Sequence, residues 1–190
     1  MNREHVKLSI KLSKLLRHTA TKRNLNIDES GWILLDDILK LNEFNKFNFN
    51  DIVYVVENND KKRFSLKICN NIYYIRANQG HSIKLNNNFL KEIKDIEYIK
   101  NIVHGTFAKN LKSIKENGLC RMKRNHIHFA REKNLMFGLR KNSEVYIGID
   151  VINAIKDDIK FYESDNKVIL SPGIGDKGII PFKYLIISYE

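Results

Sequence analysis

Arg17-His18 sets an always-charged guanidinium beside a titratable imidazole, a pair suited to an anionic group such as a phosphate. Two further basic positions have similar surroundings. Arg63 closes the run Asn58-Asn59-Asp60-Lys61-Lys62-Arg63-Phe64 and opens a β-like segment, so that it faces an anion while Phe64 points into a core. In Arg121-Met122-Lys123-Arg124-Asn125-His126-Ile127-His128-Phe129, strand alternation puts Arg124, His126 and His128 on one face and Ile127 and Phe129 on the other. From Arg121 to Lys141 seven Lys or Arg stand against one acid, Glu132, so a cationic pocket is a better reading there than a merely solvated surface.

Two polar stretches complete the candidates. Ile75-Arg76-Ala77-Asn78-Gln79-Gly80-His81-Ser82 ends a strand with Gln79, His81 and Ser82 able to hydrogen-bond a ligand; a turn satisfying its own backbone explains it equally well. Val103-His104-Gly105-Thr106 is a strand end leading into a helix, where backbone N–H groups can cradle a nucleotide and Thr106 can cap. Each stretch has an ordinary alternative: Arg17-His18 as cations complementing a helix C-terminus, Arg63 as part of a charged turn before an edge strand, Gly118 as a helix stop.

The elements that must hold these residues follow from periodicity. Leu8, Leu12, Leu15 and Leu16 predict a first helix from about Arg3 to Arg17, ending near His18. Gly31-Trp32 leads into a short helix through Leu34, Leu35, Ile38, Leu39 and Leu41, with Asp36 and Asp37 in its first turn; a third, Asp51 to Asn58, has Asn50 as N-cap. Phe64, Leu66 and Ile68, the turn Asn70-Asn71 and Ile72 to Ile75 read as a hairpin, so three helices and a hairpin suggest a winged helix over residues 1–90. Beyond an Asn- and Lys-rich stretch, residues 91–190 form an α+β unit around a small sheet. Its strands are Ile102-Val103, Ile127 to Ala130, Val145 to Ile149, Ile159 to Tyr162, Val168 to Leu170 and Leu185 to Ser188, and its helices Ala108 to Asn117 and Arg131 to Leu139.

Composition narrows the function classes. An excess of 33 Lys and Arg over 22 Asp and Glu gives a net charge of +11 and favours a polyanionic partner. No apolar run reads as a secretory signal or membrane span, so an intracellular, cytoplasmic monomer is expected. Cys69 and Cys120 are too far apart for a zinc ribbon, and no metal is expected. P-loop, zincin and nucleophile-elbow motifs are missing, and His104-Gly105-Thr106 finds no second His-x-Thr or His-x-Ser to complete a two-histidine phosphoesterase site.

Taken together and in order, Leu12-Ser13-Lys14-Leu15-Leu16-Arg17-His18, Gly31-Trp32, Asn59-Asp60-Lys61-Lys62-Arg63-Phe64, Gln79-Gly80-His81-Ser82, His104-Gly105-Thr106 and Arg124-Asn125-His126-Ile127-His128 resemble the RNA 2′-phosphotransferase family, KptA-like, from about Leu8 to Pro181. The resemblance implies a winged-helix lobe joined to an ADP-ribosyltransferase-like lobe that binds NAD, with the RNA 2′-phosphate in the cleft between. It also implies an Arg-His-Arg-Arg catalytic set, which falls on Arg17, His18, Arg63 and Arg124. NAD contacts are expected at His104, Gly105, Thr106, Ser113, Gly118, Leu119, His128 and Arg140, and RNA contacts at Gln79 and His81.

The implied reaction moves the splice-junction 2′-phosphate of RNA, tRNA above all, to NAD. It passes through ADP-ribosylated RNA phosphate and yields 2′-hydroxyl RNA, nicotinamide and ADP-ribose 1″,2″-cyclic phosphate. Ordinary ADP-ribosyltransferases carry a late catalytic glutamate, whereas Val168-Ile169-Leu170 holds no acid; an acceptor that is already an anion needs no general base. The alternatives are an ADP-ribosyltransferase that permanently marks a nucleic-acid phosphate terminus and a non-catalytic winged-helix nucleic-acid-binding protein.

Overall fold

Leu8, Leu12, Leu15 and Leu16 are buried along one side of the first helical segment, as their spacing requires, but the segment is not a single α-helix. The structure is a computed structural model that describes residues 1–131, 139 and 142–188. The chain divides into two compact units, Met1–Phe89 and Leu90–Glu190, each a mixture of helix and sheet.

In the first unit α1 spans Arg3–Lys14, with the Asn2 side chain accepting from the His5 amide at 2.8 Å. It passes directly into a π-helical turn, Leu15–Thr19, closed by the Ala20 amide donating to the Leu15 carbonyl at 2.9 Å. A π turn takes one more residue than an α turn and is found mostly at functional sites, so the continuation past Arg17 carries positional meaning. β1 (Ile33–Leu34) runs into α2 (Leu35–Leu39), whose first turn holds Asp36 and Asp37. α3 covers Phe49–Glu57.

The N-cap of α3 is Asn48, not Asn50: its side chain accepts from the Asp51 amide at 3.1 Å while the Asp51 carboxylate accepts from the Asn48 amide at 2.9 Å. That reciprocal pairing satisfies two otherwise orphaned donors and moves the helix start two residues upstream of the expectation. β2 (Phe64–Cys69) and β3 (Ile72–Ala77) form the hairpin, with Asn70 and Asn71 at φ 49 and 60° as a two-residue primed turn requires. The sheet order is β1-β3-β2, antiparallel throughout, with Ile75 opposite both Ile33 and Leu66. Phe64 is buried, Leu66 half-buried and Ile68 59% exposed, so the apolar stripe of β2 leaves the core toward the turn.

The second unit is built on seven antiparallel strands in the order β12-β8-β5-β7-β10-β9-β4. The strands are β4 (Lys91–Glu92), β5 (Ile102–Thr106), β7 (Ile127–Arg131), β8 (Val145–Ile149), β9 (Tyr162–Glu163), β10 (Ile169–Ser171) and β12 (Leu185–Ser188). β6 (Leu119–Cys120) pairs with β11 (Ile179–Ile180) in a separate ladder. Helices α4 (Ile96–Ile99), α5 (Leu111–Asn117) and α6 (Val151–Lys156) accompany this sheet, and Ile102, Phe129, Ile147, Phe161 and Ile169 pack in one apolar core. Burying five such side chains contributes on the order of 10 kcal/mol before chain entropy is counted.

Several expectations are corrected here. The sheet is larger than the small one expected, and only Tyr162–Glu163 of the Ile159 region pairs as strand. The stretch from Ala108 opens as a 3₁₀ turn, Ala108–Asn110, before α5. Arg131 closes β7 instead of opening a helix, and residues 132–138 of that expected helix lie outside the described residues. β7 is flanked by β5 and β10, and Ile127 through Ala130 are all buried, so its two faces are both covered and His128 does not face solvent. Among the described residues no helix is long and apolar enough to cross a membrane.

Candidate active site

The π turn determines where Arg17 and His18 stand. The Arg17 carbonyl accepts from the Ser82 amide at 2.8 Å and from the Ile83 amide at 3.2 Å, tying the turn to the segment that follows β3. His18 Nδ1 and Ser82 Oγ are 2.9 Å apart. Gly80 lies beneath the Arg17 side chain: a Cβ there would come 3.4 Å from Arg17 Nε, and the residue is at φ +89°, a conformation L side chains rarely adopt. Arg17 is half-buried and His18 exposed, which leaves the imidazole its solvent access while the guanidinium is braced on backbone.

Arg63 sits at the head of β2 in the same unit. Its amide and its Nη1 both donate to Asn59 Oδ1, at 3.2 and 3.1 Å. Asn59 is buried, and its Nδ2 donates to Ser9 Oγ of α1 at 3.2 Å, so the loop before the strand is pinned to the helix that carries Arg17. From the other side the Asn78 amide donates to the Arg63 carbonyl at 2.9 Å and Asn78 Nδ2 to the Lys62 carbonyl at 2.8 Å. One short segment, Asn78 to Ser82, thus braces Arg63 at one end and Arg17 and His18 at the other. Burial lowers the pKa of Arg63, opposed by the charge of Asp60; the guanidinium stays charged but has lost hydration, the condition in which it gains most from an anion.

Gln79 is half-buried in this segment, and His81 is buried with its ring edge-on to Phe89, centroids 6.4 Å apart. Arg76 escaped the sequence reading: it is buried, with its guanidinium 4.6 Å from the Trp32 ring and 5.1 Å from the Phe89 ring. Strand alternation was the available signal, since Arg76 lies between the inward Ile75 and Ala77 and only Trp32 explains its burial.

In the second unit Arg124 is not on the strand but in the turn before β7, half-buried. Arg121 holds it there. Its Nη1 donates to the Arg124 carbonyl at 2.7 Å, its Nη2 to the Asp176 carbonyl at 2.8 Å, and its amide to the Gly178 carbonyl at 3.0 Å. A guanidinium has enough donors in a fixed fork to clamp two chain segments at once, a role spacing alone does not reveal. His126 follows, buried, its pKa pushed down to about 4 by burial and by the charge of Arg121, so it is neutral near pH 7.

His104, at the centre of β5, places Nδ1 2.9 Å from the His128 carbonyl and its ring edge-on to Phe129. A carbonyl only accepts, so Nδ1 carries the proton and Nε2 is the basic nitrogen of the neutral ring. His128 itself is buried. Gly105 lets β5 approach a neighbouring loop: a Cβ there would meet Ser143 Oγ at 2.3 Å. Thr106 is buried, with Oγ1 accepting from Asn110 Nδ2 at 3.2 Å.

Ser113 is exposed on α5, Gly118 ends that helix against the Ile180 carbonyl, and Leu119 is buried opposite Ile180. Arg140 lies outside the described residues. Val168, Ile169 and Leu170 are fully buried; Glu163, paired with Ile169 in the adjacent strand, accepts from the Tyr98 hydroxyl and is 3.0 Å from Lys167 Nζ. Among the described residues no group of three or more His, Cys, Asp or Glu is placed to hold a metal.

The chain matches, over residues 3–173, the model of a family described as RNA 2′-phosphotransferase, Tpt1 / KptA family. It is 42% identical over 177 residues to a Schizosaccharomyces pombe protein bearing a tRNA 2′-phosphotransferase name, covering 91% of this chain and 48% of that protein. It is 39% identical over 178 residues to tRNA 2′-phosphotransferase 1 of Danio rerio, covering 88% and 78%. It is 36% identical over 186 residues to tRNA 2′-phosphotransferase of Saccharomyces cerevisiae, covering 91% and 81%. The chain therefore spans about half the length of the S. pombe relative and more than three quarters of the other two.

Proposed function

The chain belongs to the RNA 2′-phosphotransferase family, and from that premise we propose that it transfers an internal 2′-phosphate of RNA to NAD, releasing 2′-hydroxyl RNA, nicotinamide and ADP-ribose 1″,2″-cyclic phosphate. The names of the relatives favour tRNA as the RNA. One observation carries the reading: residues 78 to 82 hold Arg17 and His18 on a π turn and Arg63 at a strand head, so three candidate phosphate ligands are braced before any substrate arrives. Such preorganisation spares the cost of ordering cations during the reaction.

Arg17, Arg63 and Arg124 are assigned to the phosphate, whose three outer oxygens bidentate guanidiniums can position and neutralise. His18 is assigned as phosphate ligand or proton-transfer group; with Nδ1 beside Ser82 Oγ, its Nε2 is the nitrogen directed to substrate. NAD would supply an electrophilic ribose carbon with nicotinamide as leaving group, and then a hydroxyl able to take the phosphate. His104, Gly105, Thr106 and His128 fit a dinucleotide on donor chemistry: a ring of fixed tautomer, a hydroxyl, and backbone with no room for a Cβ. Ser113, Gly118, Leu119 and Arg140 complete the NAD proposal, and Gln79 and His81 the RNA proposal. An acceptor that arrives ionised suits the apolar Val168–Leu170, since no base is required to deprotonate it.

A winged-helix reading of the first unit is supported by three α-helices with a three-stranded antiparallel sheet ending in a hairpin. An ADP-ribosyltransferase-like reading of the second draws on its mixed α/β sheet core. The test is incubation with a 2′-phosphorylated oligonucleotide, with and without NAD. Cyclic ADP-ribose phosphate appearing only with NAD is expected, whereas a permanently ADP-ribosylated RNA, or NAD-independent loss of phosphate, overturns the reading.

A further inference from the structure

We propose that a second, basic concavity in the first unit receives backbone phosphates of the RNA strand flanking the one that reacts. The concavity is about 490 Å³ and is lined by Lys11, Lys14, Lys22 and Arg23 over Leu15 and Thr19, with Glu43 at its rim. Four cations against one carboxylate leave a lining charge of +3. The carboxylate is itself committed: Glu43 Oε2 is 3.3 Å from Arg23 Nη2, and the Glu43 carbonyl accepts from Lys11 Nζ at 2.6 Å. Glu43 thus holds two of the cations in place instead of closing the site, while Lys14 and Lys22 are exposed and form no ion pair among the described residues. A cationic hollow held open in this way suits a polyanion, and a chain of net charge +11 draws one to it.

The occupant is identified by continuity with the π turn. Leu15 and Thr19, the floor of the hollow, are the first and last residues of the turn whose middle carries Arg17 and His18. The two faces are therefore separated by no more than the width of a helix, about 10–12 Å. Neighbouring phosphates of a strand rising roughly 3.4 Å per nucleotide cover that span in about three nucleotides. The contacts are ionic and made by flexible side chains, so they position the strand without reading its bases.

This inference rests on the assignment of the reacting phosphate to Arg17 and His18, and the experiment separates the two. Binding of a fluorescent 12-mer RNA lacking any 2′-phosphate is followed by anisotropy across salt concentrations, for the wild-type chain and for Lys14→Glu/Lys22→Glu. Turnover of a 2′-phosphorylated dinucleotide is measured in parallel. The variant is expected to bind the 12-mer at least tenfold more weakly, with a salt slope reduced by roughly 1.5, as the loss of two single-strand phosphate contacts requires. Its turnover of the dinucleotide, too short to reach the hollow, is expected to stay unchanged. Unaltered 12-mer affinity and slope overturn the docking site, as does an equal loss on the dinucleotide or preferential binding of anionic vesicles over RNA. Lys14→Gln/Lys22→Gln serves the same comparison should charge reversal disturb α1. A wild-type chain inactive on the dinucleotide counts against the proposed function alone, because the binding arm uses no reactive phosphate.

Discussion

His18 Nδ1 stands 2.9 Å from Ser82 Oγ, on a chain segment that also donates two amides to the Arg17 carbonyl. The serine fixes the ring and thereby the direction of Nε2. Replacing Ser82 with Ala should lower kcat by about tenfold with KM little changed, whereas His18→Gln should cost about 10²–10⁴-fold if the ring transfers a proton. Steady-state assay with a 2′-phosphorylated oligonucleotide distinguishes them, and a Ser82→Ala enzyme with wild-type kcat would remove the orienting role.

Arg63 and Arg124 should separate by reaction stage. If each acts at phosphorus, Arg63→Ala and Arg124→Ala slow turnover by about 10²–10³-fold and accumulate ADP-ribosylated RNA, visible as a gel shift. Lys at either position should restore only part of the rate, because an ammonium cannot make the paired contact. Slow turnover without intermediate places the residue at the earlier step.

Arg121 is predicted to act through Arg124. Loss of its clamp on the Arg124 and Asp176 carbonyls in Arg121→Ala should reproduce the Arg124→Ala kinetic pattern in milder form. Gly178→Ala offers an independent route to the same defect: its Cβ would lie 2.2 Å from Arg121 Nε, at φ +60°. Wild-type accumulation of intermediate in both variants would show that the clamp serves stability alone.

The buried His126 makes an acid limb in stability. Its folded pKa of about 4 lies below the ordinary 6.5, so between those values the unfolded chain binds the extra proton. Its contribution is present in full above pH 6.5 and is lost as pH falls toward 4. The shift corresponds to about 3 kcal/mol, so urea midpoints measured from pH 7 to pH 4 should fall, and fall less steeply in His126→Asn. Equal slopes in the two proteins would show that His126 is not the group responsible.

Gly105 is held by contact and not by backbone conformation, since a Cβ would strike Ser143 Oγ at 2.3 Å. Gly105→Ala should weaken NAD binding by about tenfold in calorimetry, and Ser143→Gly in the same chain should recover part of the loss. No recovery would locate the obstruction elsewhere.

Local signals made much of this readable. Leucine spacing in α1, the Asn70-Asn71 turn and the apolar strands of the second unit declare themselves because period and turn chemistry are properties of neighbours in sequence. What escaped depends on distant partners. The reciprocal cap drew α3 back to Asn48, and the π turn is set by bonds from residues 82 and 83 to Arg17. Arg121 reads as one cation among seven until Asp176 and Gly178 are brought beside it. Asn59 and Asn78 resemble loop asparagines, yet each is buried because Arg63 and Lys62 need acceptors and donors at the head of a strand.

The insertion that widens the helix at Leu15–Thr19 stores catalytic aim in the number of residues, not in their identity. Deleting one residue there would restore an unbroken α ladder at little energetic expense, yet would swing everything downstream by about 100° about the helix axis. A chain so shortened would keep its fold, its arginine and its histidine, and present them to the wrong side.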